Sequence, residues 1–479
     1  MLPKQSDLLE KKNIILYNNI AEIEGVQGRL LVEFQISSEI QIKWDFETLG
    51  NPEKWIFTPD FGKPLSTIRG YEFEVNSPYV NNWTTEWGPL NAIRGVTPQV
   101  VYGGLETEAH EFIFYLPNAQ FQQKSLKQTR LRNEVHDDTR RVSWSSGGRK
   151  VEVKLDEFWS LSLETSGENL EWLDPKNRNT GYKLTTIGYL YQHKFDATKE
   201  ETFAMLQAMK LQDALTRLQN VSALLQFANS SKIRPLFVRG EFISQHPLIR
   251  KEIACATALN YPTSSLEQLG SSWIHLDTDL ASFLGCLKGL EKMIQQPFWK
   301  VAYAELMTTY LQAAKHSQPQ NIAAMMVGAA LERLSYAILV EDEIDPKEKQ
   351  KYELLFSNGD KKQARAAWNL GNKHGQLDVS ITNMRARLLL ERIGLTKNRD
   401  YDDIDEIKLF ETIRNDATHA IAGTTTSEER SKLIKLGLLW IEEVLLWRLG
   451  YDGKYSDRRA SWVKDLLPRY DLSLRNPNW

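Results

Sequence analysis

The chain has 479 residues, of which 42% are hydrophobic and 25% charged, and its formal net charge is −3. This length predicts two or three domains instead of a single core. The balanced charge excludes a globally basic nucleic-acid-binding protein, so any RNA-binding surface has to be local.

Targeting and redox features are sparse in this sequence. The two cysteines, Cys255 and Cys286, exclude a disulfide scaffold and a cysteine zinc cluster, and they suit a reducing compartment. The N-terminal residues MLPKQSDLLEKK contain no apolar signal segment. The most apolar run, 436–446, is interrupted by Glu442 and Glu443 and is too short to cross a bilayer. We therefore expect a cytoplasmic protein without a membrane partner.

Residues 1–195 are predicted to form an N-terminal antiparallel β-rich domain with a sensory or regulatory role. Short runs such as RLLVEFQI, EIQIKWDF and HEFIFYLP alternate apolar and polar positions, with Gly, Pro, Asn and Asp between them. The segment Ser145–Gly148 lies between two such runs and favours a hairpin turn.

After His193 the apolar period changes from two residues to about 3.6, which indicates helices. One helical face carries an apolar residue at each of five positions, and that helix is predicted to end near Asn229; the positions are Leu211, Leu215, Leu218, Val221 and Leu225. A short extended piece around Pro235 follows, and then further helices to about Gln295. Residues 196–297 are thus a helical middle region, either a separate subdomain or an extension of the next domain.

Residues 298–450 are predicted to form a helical bundle. Residues 451–479 form a C-terminal tail that packs back on the bundle or, alternatively, contacts a substrate or partner. The first strong helix is expected at Asn321–Val340, and Thr426 with Glu429 forms a capping-box signature for the last helix. The fold class is therefore α+β with several domains.

The candidate active site is the segment Arg414-Asn415-Asp416-Ala417-Thr418-His419. Apolar residues recur around it at helical spacing: Ile407, Phe410, Ile413, Ala417 and Ala420. An arginine can hold and neutralise a phosphate, and a histidine can transfer a proton near neutral pH. Similar Arg–His spacings at Arg130/His136 and Arg239/His246 lack this periodicity.

With this motif, the C-terminal third resembles a HEPN domain, a small helical bundle found in prokaryotic toxins and phage-defence ribonucleases. The family signature is an Arg, usually followed by a polar residue, with a His four to six positions on, and RNDATH fits it. The order of a strand-rich domain, the ALTRLQNVSALLQFAN helix and the ALERL helix is similar to the ApeA-like branch, which is associated with abortive infection.

The resemblance implies a metal-independent endoribonuclease that needs no cofactor and acts on RNA, with tRNA as one candidate. The RNA 2′-hydroxyl would attack the adjacent phosphorus and leave a 2′,3′-cyclic phosphate. His419 would transfer the proton, Arg414 would stabilise the phosphoryl charge, and Asn415 would orient the imidazole or bind the phosphate. Asp416 and Thr418 are expected to support the site. A phage-derived trigger would release the activity.

Glu332 is a further supporting residue, because a carboxylate within an apolar helix needs a partner. Arg414 is one candidate partner, and Arg333 or a lysine would serve equally. Arg414 and His419 diverge by about 140° on an ideal helix, so a homodimer with two facing motifs is expected, as is common in the resembled family.

Nine basic residues between Lys124 and Lys154 form a candidate RNA contact, with Arg130, Arg132, Arg140 and Arg141 as the proposed contact residues. The alternative is a solvated loop and the polar face of a hairpin. The scattered histidines show no metal-ligand spacing, so no metal site is predicted.

Two functions of different class remain open at the level of the sequence. The first is the ribonuclease. The second is a non-catalytic HEPN module for binding or dimerisation, joined to a ligand-sensing β domain. In that second case, the residues of RNDATH would cap and fill a structural position instead of meeting in an open cleft.

Overall fold

The structure is a computed structural model. It describes the following residues: 13–36, 40–49, 67–70, 72–76, 78–84, 92–117, 119, 131–136, 139–145, 149–173, 180–192, 207–243, 251–259, 264–265, 277–315, 318–342, 350, 426–456 and 474–475.

The described strands are concentrated in the first 265 residues. They are β1 Asn13–Ile23, β2 Val26–Ile36, β3 Ile40–Thr48, β4 Ile68–Gly70, β5 Phe73–Asn76, β6 Tyr79–Thr84, β7 Ala92–Thr97, β8 Gln99–Tyr102, β9 Glu108–Ala109, β10 Glu111–Pro117, β11 Leu131–His136, β12 Thr139–Ser145, β13 Arg149–Lys154, β14 Trp159–Leu173, β15 Thr180–Gln192, β16 Met209–Lys210, β17 Phe237–Ile243, β18 Lys251–Leu259, β19 Ser264–Ser265, β20 Tyr455–Ser456 and β21 Leu474–Arg475.

The described helices lie mainly in the second half of the chain. They are α1 Leu211–Asn229, α2 Asp277–Gly285, α3 Leu287–Ile294, α4 Pro297–Ala313, α5 Gln320–Tyr336 with a π-helical turn at Ala337–Asp342, and α6 Ser427–Leu449. The molecule therefore has an antiparallel β-rich N-terminal part and a helical C-terminal part, as the α+β prediction required.

The chain divides into two compact units. The first, the β unit, contains Met1–Leu225 and Lys232–Glu267. The second, the helical unit, contains Gln226–Ser231 and Gln268–Trp479. Helix α1 contributes its last residues to the helical unit, so the division falls inside this helix.

In the β unit, antiparallel pairing links seventeen of the described strands into one sheet. β1 and β2 are joined by a two-residue turn at Glu24 and Gly25, whose φ angles are 49° and 81°. Positive φ at both positions matches the right-handed twist of a hairpin, and glycine adopts it without a steric penalty.

One core of the β unit lies under the first strands. Phe34, Trp44 and Phe46 are almost completely buried there, together with Phe237 and Ala258 from β17 and β18. Alternate residues of each strand enter this core, because side chains of a strand point to opposite faces in turn. The alternation seen in the sequence therefore reports a sheet with one buried face.

β17 and β18 lie within the region predicted as 196–297. β17 coincides with the extended piece expected around Pro235, whereas β18 stands where helices were expected. β17 pairs with β10, where Glu111 lies opposite Glu241, and β18 pairs with β8. The β unit consequently extends to Glu267 and does not end near residue 195. The pairing partners of β18 are far away in sequence, so local strand preference does not reveal them.

The hairpin predicted at Ser145–Gly148 also differs from the pairing in the structure. β12 and β13 each pair with a different half of the long strand β14: Ser145 lies opposite Glu168, and Arg149 lies opposite Thr165. A turn signature indicates where one strand ends and the next begins, but it does not determine which strand pairs with which.

The predicted helix ending near Asn229 is confirmed as α1, and all five residues of its predicted apolar face are buried. The capping box at Thr426 and Glu429 is also confirmed at the start of α6. Both predictions depended on local periodicity or on contacts within one turn, which a sequence displays directly.

The stretch Gln320–Leu339 is long and apolar enough to cross a membrane by length and composition, and 56% of its most apolar window is buried inside the protein. It packs against α4 and α6. Core helices pass the same test, so this is weak evidence for a membrane span. The prediction from sequence concerned only the run 436–446.

We predict that Gly188→Ala destabilises the β unit by about 1–3 kcal/mol, the usual cost of overpacking a core. Gly188 lies opposite Phe114, and an added Cβ would overlap the Phe114 ring. Urea unfolding measures the loss. Because Phe114→Leu makes room, the double variant should lose less than the sum of the two single variants, whereas an additive loss would contradict this contact.

Candidate functional site

The residues of the predicted active site lie outside the described residues. This applies to Arg414, Asn415, Asp416, Thr418 and His419. What the structure does describe is the helical unit on either side of them in sequence, and above all the start of α6, seven positions after His419.

The start of α6 is fixed by reciprocal hydrogen bonds. The backbone N–H of Glu429 donates to Thr426 Oγ1 at 3.2 Å, and the backbone N–H of Thr426 donates to Glu429 Oε2 at 2.8 Å. These bonds satisfy groups that would otherwise be unpaired in the first helical turn. The backbone leaving the motif segment therefore enters α6 at a defined position.

A second set of contacts holds the start of α6 beside the start of α5. Ser427 Oγ donates to Gln320 Oε1 at 3.0 Å, and the Arg430 guanidinium donates to Asn321 Oδ1. We call these four residues the α5–α6 clamp.

Two adjacent carboxylates on α6, Glu442 and Glu443, are completely buried. The Tyr310 hydroxyl on α4 donates to Glu442 Oε1, and Tyr310 Oη also lies 2.8 Å from Ser230 Oγ. The Tyr455 hydroxyl donates to Glu443 Oε1 at 2.7 Å. Buried carboxylates are costly without such donors. In the sequence these two residues served only as charges that argue against a membrane span, and no local pattern pointed to their tyrosine partners.

The end of the π-helical turn is held by Asp342. Trp299 Nε1 donates to Asp342 Oδ1 at 2.7 Å, and Arg448 Nε donates to Asp342 Oδ2 at 3.0 Å. The Arg448 guanidinium also lies 5.5 Å from the centre of the Trp299 ring. α4, α5 and α6 therefore meet at one carboxylate. π-Helical turns are rare and often occur at functional sites, which makes this position notable.

Glu332, predicted as a supporting residue, is only half-buried on α5. Its neighbour Arg333 pairs with Glu305 at 2.6 Å and stacks 5.1 Å from the Phe298 ring centre. Arg333 thus has a carboxylate partner on α4, and the predicted contact between Glu332 and Arg414 concerns a residue outside the described ones.

The four predicted RNA contacts fall where few side chains are described. Arg132 lies on β11, and Arg140 and Arg141 lie on β12, so the backbone of all three is part of the sheet. Arg130 lies outside the described residues. β11 and β12 pair antiparallel with His136 opposite Thr139, so these three positions lie on a hairpin, as the alternative to an RNA contact included, and the RNA contact stays a prediction.

Three other side chains that could take part in chemistry, His110, Cys255 and Cys286, are buried in the structure. His110 is buried and lies 4.3 Å from the Phe242 ring, and burial lowers the pKa of His110. Burial raises the pKa of Cys255 to about 11 and that of Cys286 to about 12. Both thiols stay protonated at neutral pH, so neither is a reactive nucleophile. The described residues contain no cluster of three or more metal-binding side chains.

Comparison with known proteins places the helical unit in a family context. Residues 296–467 match the model of the YopA C-terminal domain family. The chain is also 26% identical over 444 residues to the SPbeta prophage-derived uncharacterized protein YopA of Bacillus subtilis strain 168, an alignment that covers 90% of this chain and 85% of that protein. No solved structure matches the chain. The similarities are thus to the YopA C-terminal domain family and to one prophage-derived protein, and neither carries the HEPN or ApeA name.

We predict that Thr426→Ala lowers the free energy of unfolding of the helical unit by about 1 kcal/mol, the usual value of an N-cap side chain. The matched control is Thr308→Ala, which removes a hydroxyl that bonds only within its own helix, to Ala304 O. The control should be neutral or slightly stabilising, because alanine has the higher helix propensity. Equal losses in thermal melts would contradict a capping role.

We predict that Tyr310→Phe destabilises the helical unit by about 1–3 kcal/mol, because Glu442 and Ser230 lose a buried hydrogen-bond partner. Tyr303 on the same helix is the control, because its hydroxyl is buried with no hydrogen-bond partner in the described part of the chain. Tyr303→Phe should therefore be neutral or stabilising. A destabilisation of Tyr303→Phe as large as that of Tyr310→Phe would contradict the assignment.

Proposed function

We propose that the protein is a metal-independent endoribonuclease of the HEPN type, with Arg414, Asn415 and His419 as its catalytic residues. The observation that carries the proposal is the RNDATH motif on an apolar helical pattern, within a chain whose C-terminal part is helical. A role in conflict between phage and host, as anti-phage defence or abortive infection, fits the prophage origin of the YopA relative.

The chemistry requires two functions from the motif. His419 would take the proton from the RNA 2′-hydroxyl or deliver one to the leaving 5′-oxygen, since an imidazole titrates near neutral pH. Arg414 would stabilise the negative charge that develops on the phosphoryl oxygens. Asn415, one helical turn before His419, would orient the imidazole or bind the phosphate.

The proposed active form is a homodimer. Five helical residues turn Arg414 and His419 about 140° apart beyond a full circle, so one helix does not aim both side chains at a single phosphate. A twofold axis close to the motif would bring the Arg of one subunit to the His of the other. A phage-derived trigger would act on the dimer through the β unit.

A second candidate function is a binding or dimerisation module without catalysis. The observation that favours it is an exposed apolar stripe on α5, where Ile322 and Met325 are 40% and 44% exposed and lie three positions apart. A contact surface for a partner would include these two side chains. This candidate predicts a dimer that binds a partner but cleaves no RNA.

The test uses purified protein, total tRNA and EDTA. Wild type is expected to leave 2′,3′-cyclic phosphate ends, and Arg414→Ala and His419→Ala should each lose about two to four orders of magnitude in cleavage rate. Arg234→Ala is the matched control, since it removes an exposed arginine outside the motif and the α5–α6 clamp and should keep the cleavage rate.

Variants purified in parallel also report contaminating ribonuclease, and thermal melts report folding. Cleavage by folded Arg414→Ala and His419→Ala at the wild-type rate would contradict the catalytic assignment. A wild-type protein that binds RNA or dimerises without cleaving it would favour the second candidate.

A further inference from the structure

A cavity of about 530 Å³ opens in the β unit, which is within the usual size range of small-molecule sites. Its walls come from β9, β16, the turn before β14 and the first turns of α1. Trp159 and Met209, both buried, form an apolar part of the lining. Charged side chains complete the lining: Glu108, Asp156, Lys210, Asp213 and Arg217.

The two cations of this cavity are engaged by carboxylates of the protein itself. Arg217 Nη1 lies 2.5 Å from Asp156 Oδ2, and Lys210 Nζ lies 2.6 Å from Glu106 Oε2. Asp156 also accepts backbone N–H bonds from Phe158 and Trp159 at 2.9 and 2.8 Å. Asp156 and Arg217 thus line the cavity as an ion pair. The Arg217 guanidinium is already bound by a carboxylate and is not oriented to bind an anion.

Two further carboxylates, Glu108 and Asp213, make the cavity acidic. With Glu106 and Asp156 they give four carboxylates against two cations, which is a local net charge of −2. The hydrogen bond with Glu106, followed by the charges of Glu106, Asp213 and Glu108, raises the pKa of Lys210. Glu108 and Asp213 therefore both act on the charge of Lys210, which lines the same cavity.

Phe158 lines the same cavity and is 48% exposed. An aromatic face attracts ammonium and guanidinium groups, and its hydrocarbon surface packs against a short aliphatic chain. The exposed ring therefore adds an aromatic contact to the charged lining of the cavity.

We propose that this cavity of the β unit binds a small organic cation, an amine or guanidinium group on a short apolar chain. The apolar lining holds the chain of the ligand, and Glu108 and Asp213 at the rim hold its charge. Nucleotides and other anions are disfavoured by the local negative charge. The two sources of such a group are a free amine and an arginine or lysine side chain of a peptide.

Calorimetric titration of the full-length protein with agmatine at low salt tests the proposal. Wild type should bind agmatine, with affinity that falls as ionic strength rises. Glu108→Gln and Asp213→Asn keep the shape of the side chains and should each weaken binding about two- to fivefold, in line with exposed charge pairs. Phe158→Ala should weaken it by a similar factor.

Glu22→Gln on β1 is the matched control, because it makes the same charge change at an exposed position away from the cavity. Binding of a capped Gly-Arg-Gly peptide in place of agmatine would identify a peptide side chain as the source, and both results support the site. Three results would overturn it: no binding of either probe at millimolar concentration, equal weakening by Glu22→Gln, or equal affinity for Mg²⁺ together with no effect of Phe158→Ala. The titration contains no RNA, so its failure leaves the proposed ribonuclease activity untouched.

Discussion

Burial of α6 on all sides is the constraint on which the helical unit depends. Nearly every residue from Leu433 to Leu446 is buried, including Glu442 and Glu443. Consecutive helical residues point about 100° apart, so these two carboxylates cannot share one donor. Their donors come from two elements, Tyr310 on α4 and Tyr455 in the segment after α6. The carboxylates thereby determine which parts of the chain pack on different sides of the last helix.

Apolar residues of similar size would fill the same core and would often do so at equal or lower cost. We therefore interpret the buried carboxylates as specifying the packing arrangement more than strengthening it. A buried carboxylate accepts few alternative neighbours, because each wrong arrangement leaves a charge without a donor. The hydrogen bonds from Trp299 and Arg448 to Asp342 likewise specify how the end of α5 packs against α4 and α6.

Sequence periodicity predicted the elements whose determinants are local. The α1 face, the capping box at Thr426 and the alternation of the early strands all depend on residues within one or two turns. The pairing of Glu111 with Glu241, or of Tyr310 with Glu442, joins residues 130 or so positions apart, and no local pattern encodes such a partner. For the same reason the β unit extends beyond its predicted end. The segment Ser145–Gly148 indicated where one strand ends and the next begins, but it did not indicate which strand each of them pairs with.

The candidate sites show the same division between local and distant determinants. RNDATH was found because all its residues lie within six positions, whereas the cavity gathers Glu108, Asp156 and Asp213 from three separate segments. Charge also separates the two proposals. An RNA-cleaving motif needs positive potential at a phosphate, whereas the cavity is acidic. An RNA chain would therefore not bind at both the motif and the cavity. Two different molecules would then have to be recognised by one chain.

Coupling between two such sites requires an element whose state both of them influence. α1 is the element that belongs to both units. Its first turns supply Asp213 and Arg217 to the cavity, and its last residues, with Ser230 just beyond, belong to the helical unit. Ser230 Oγ contacts the same Tyr310 hydroxyl that donates to the buried Glu442. A ligand of the cavity would therefore contact the first turns of a helix whose last residues belong to the helical unit.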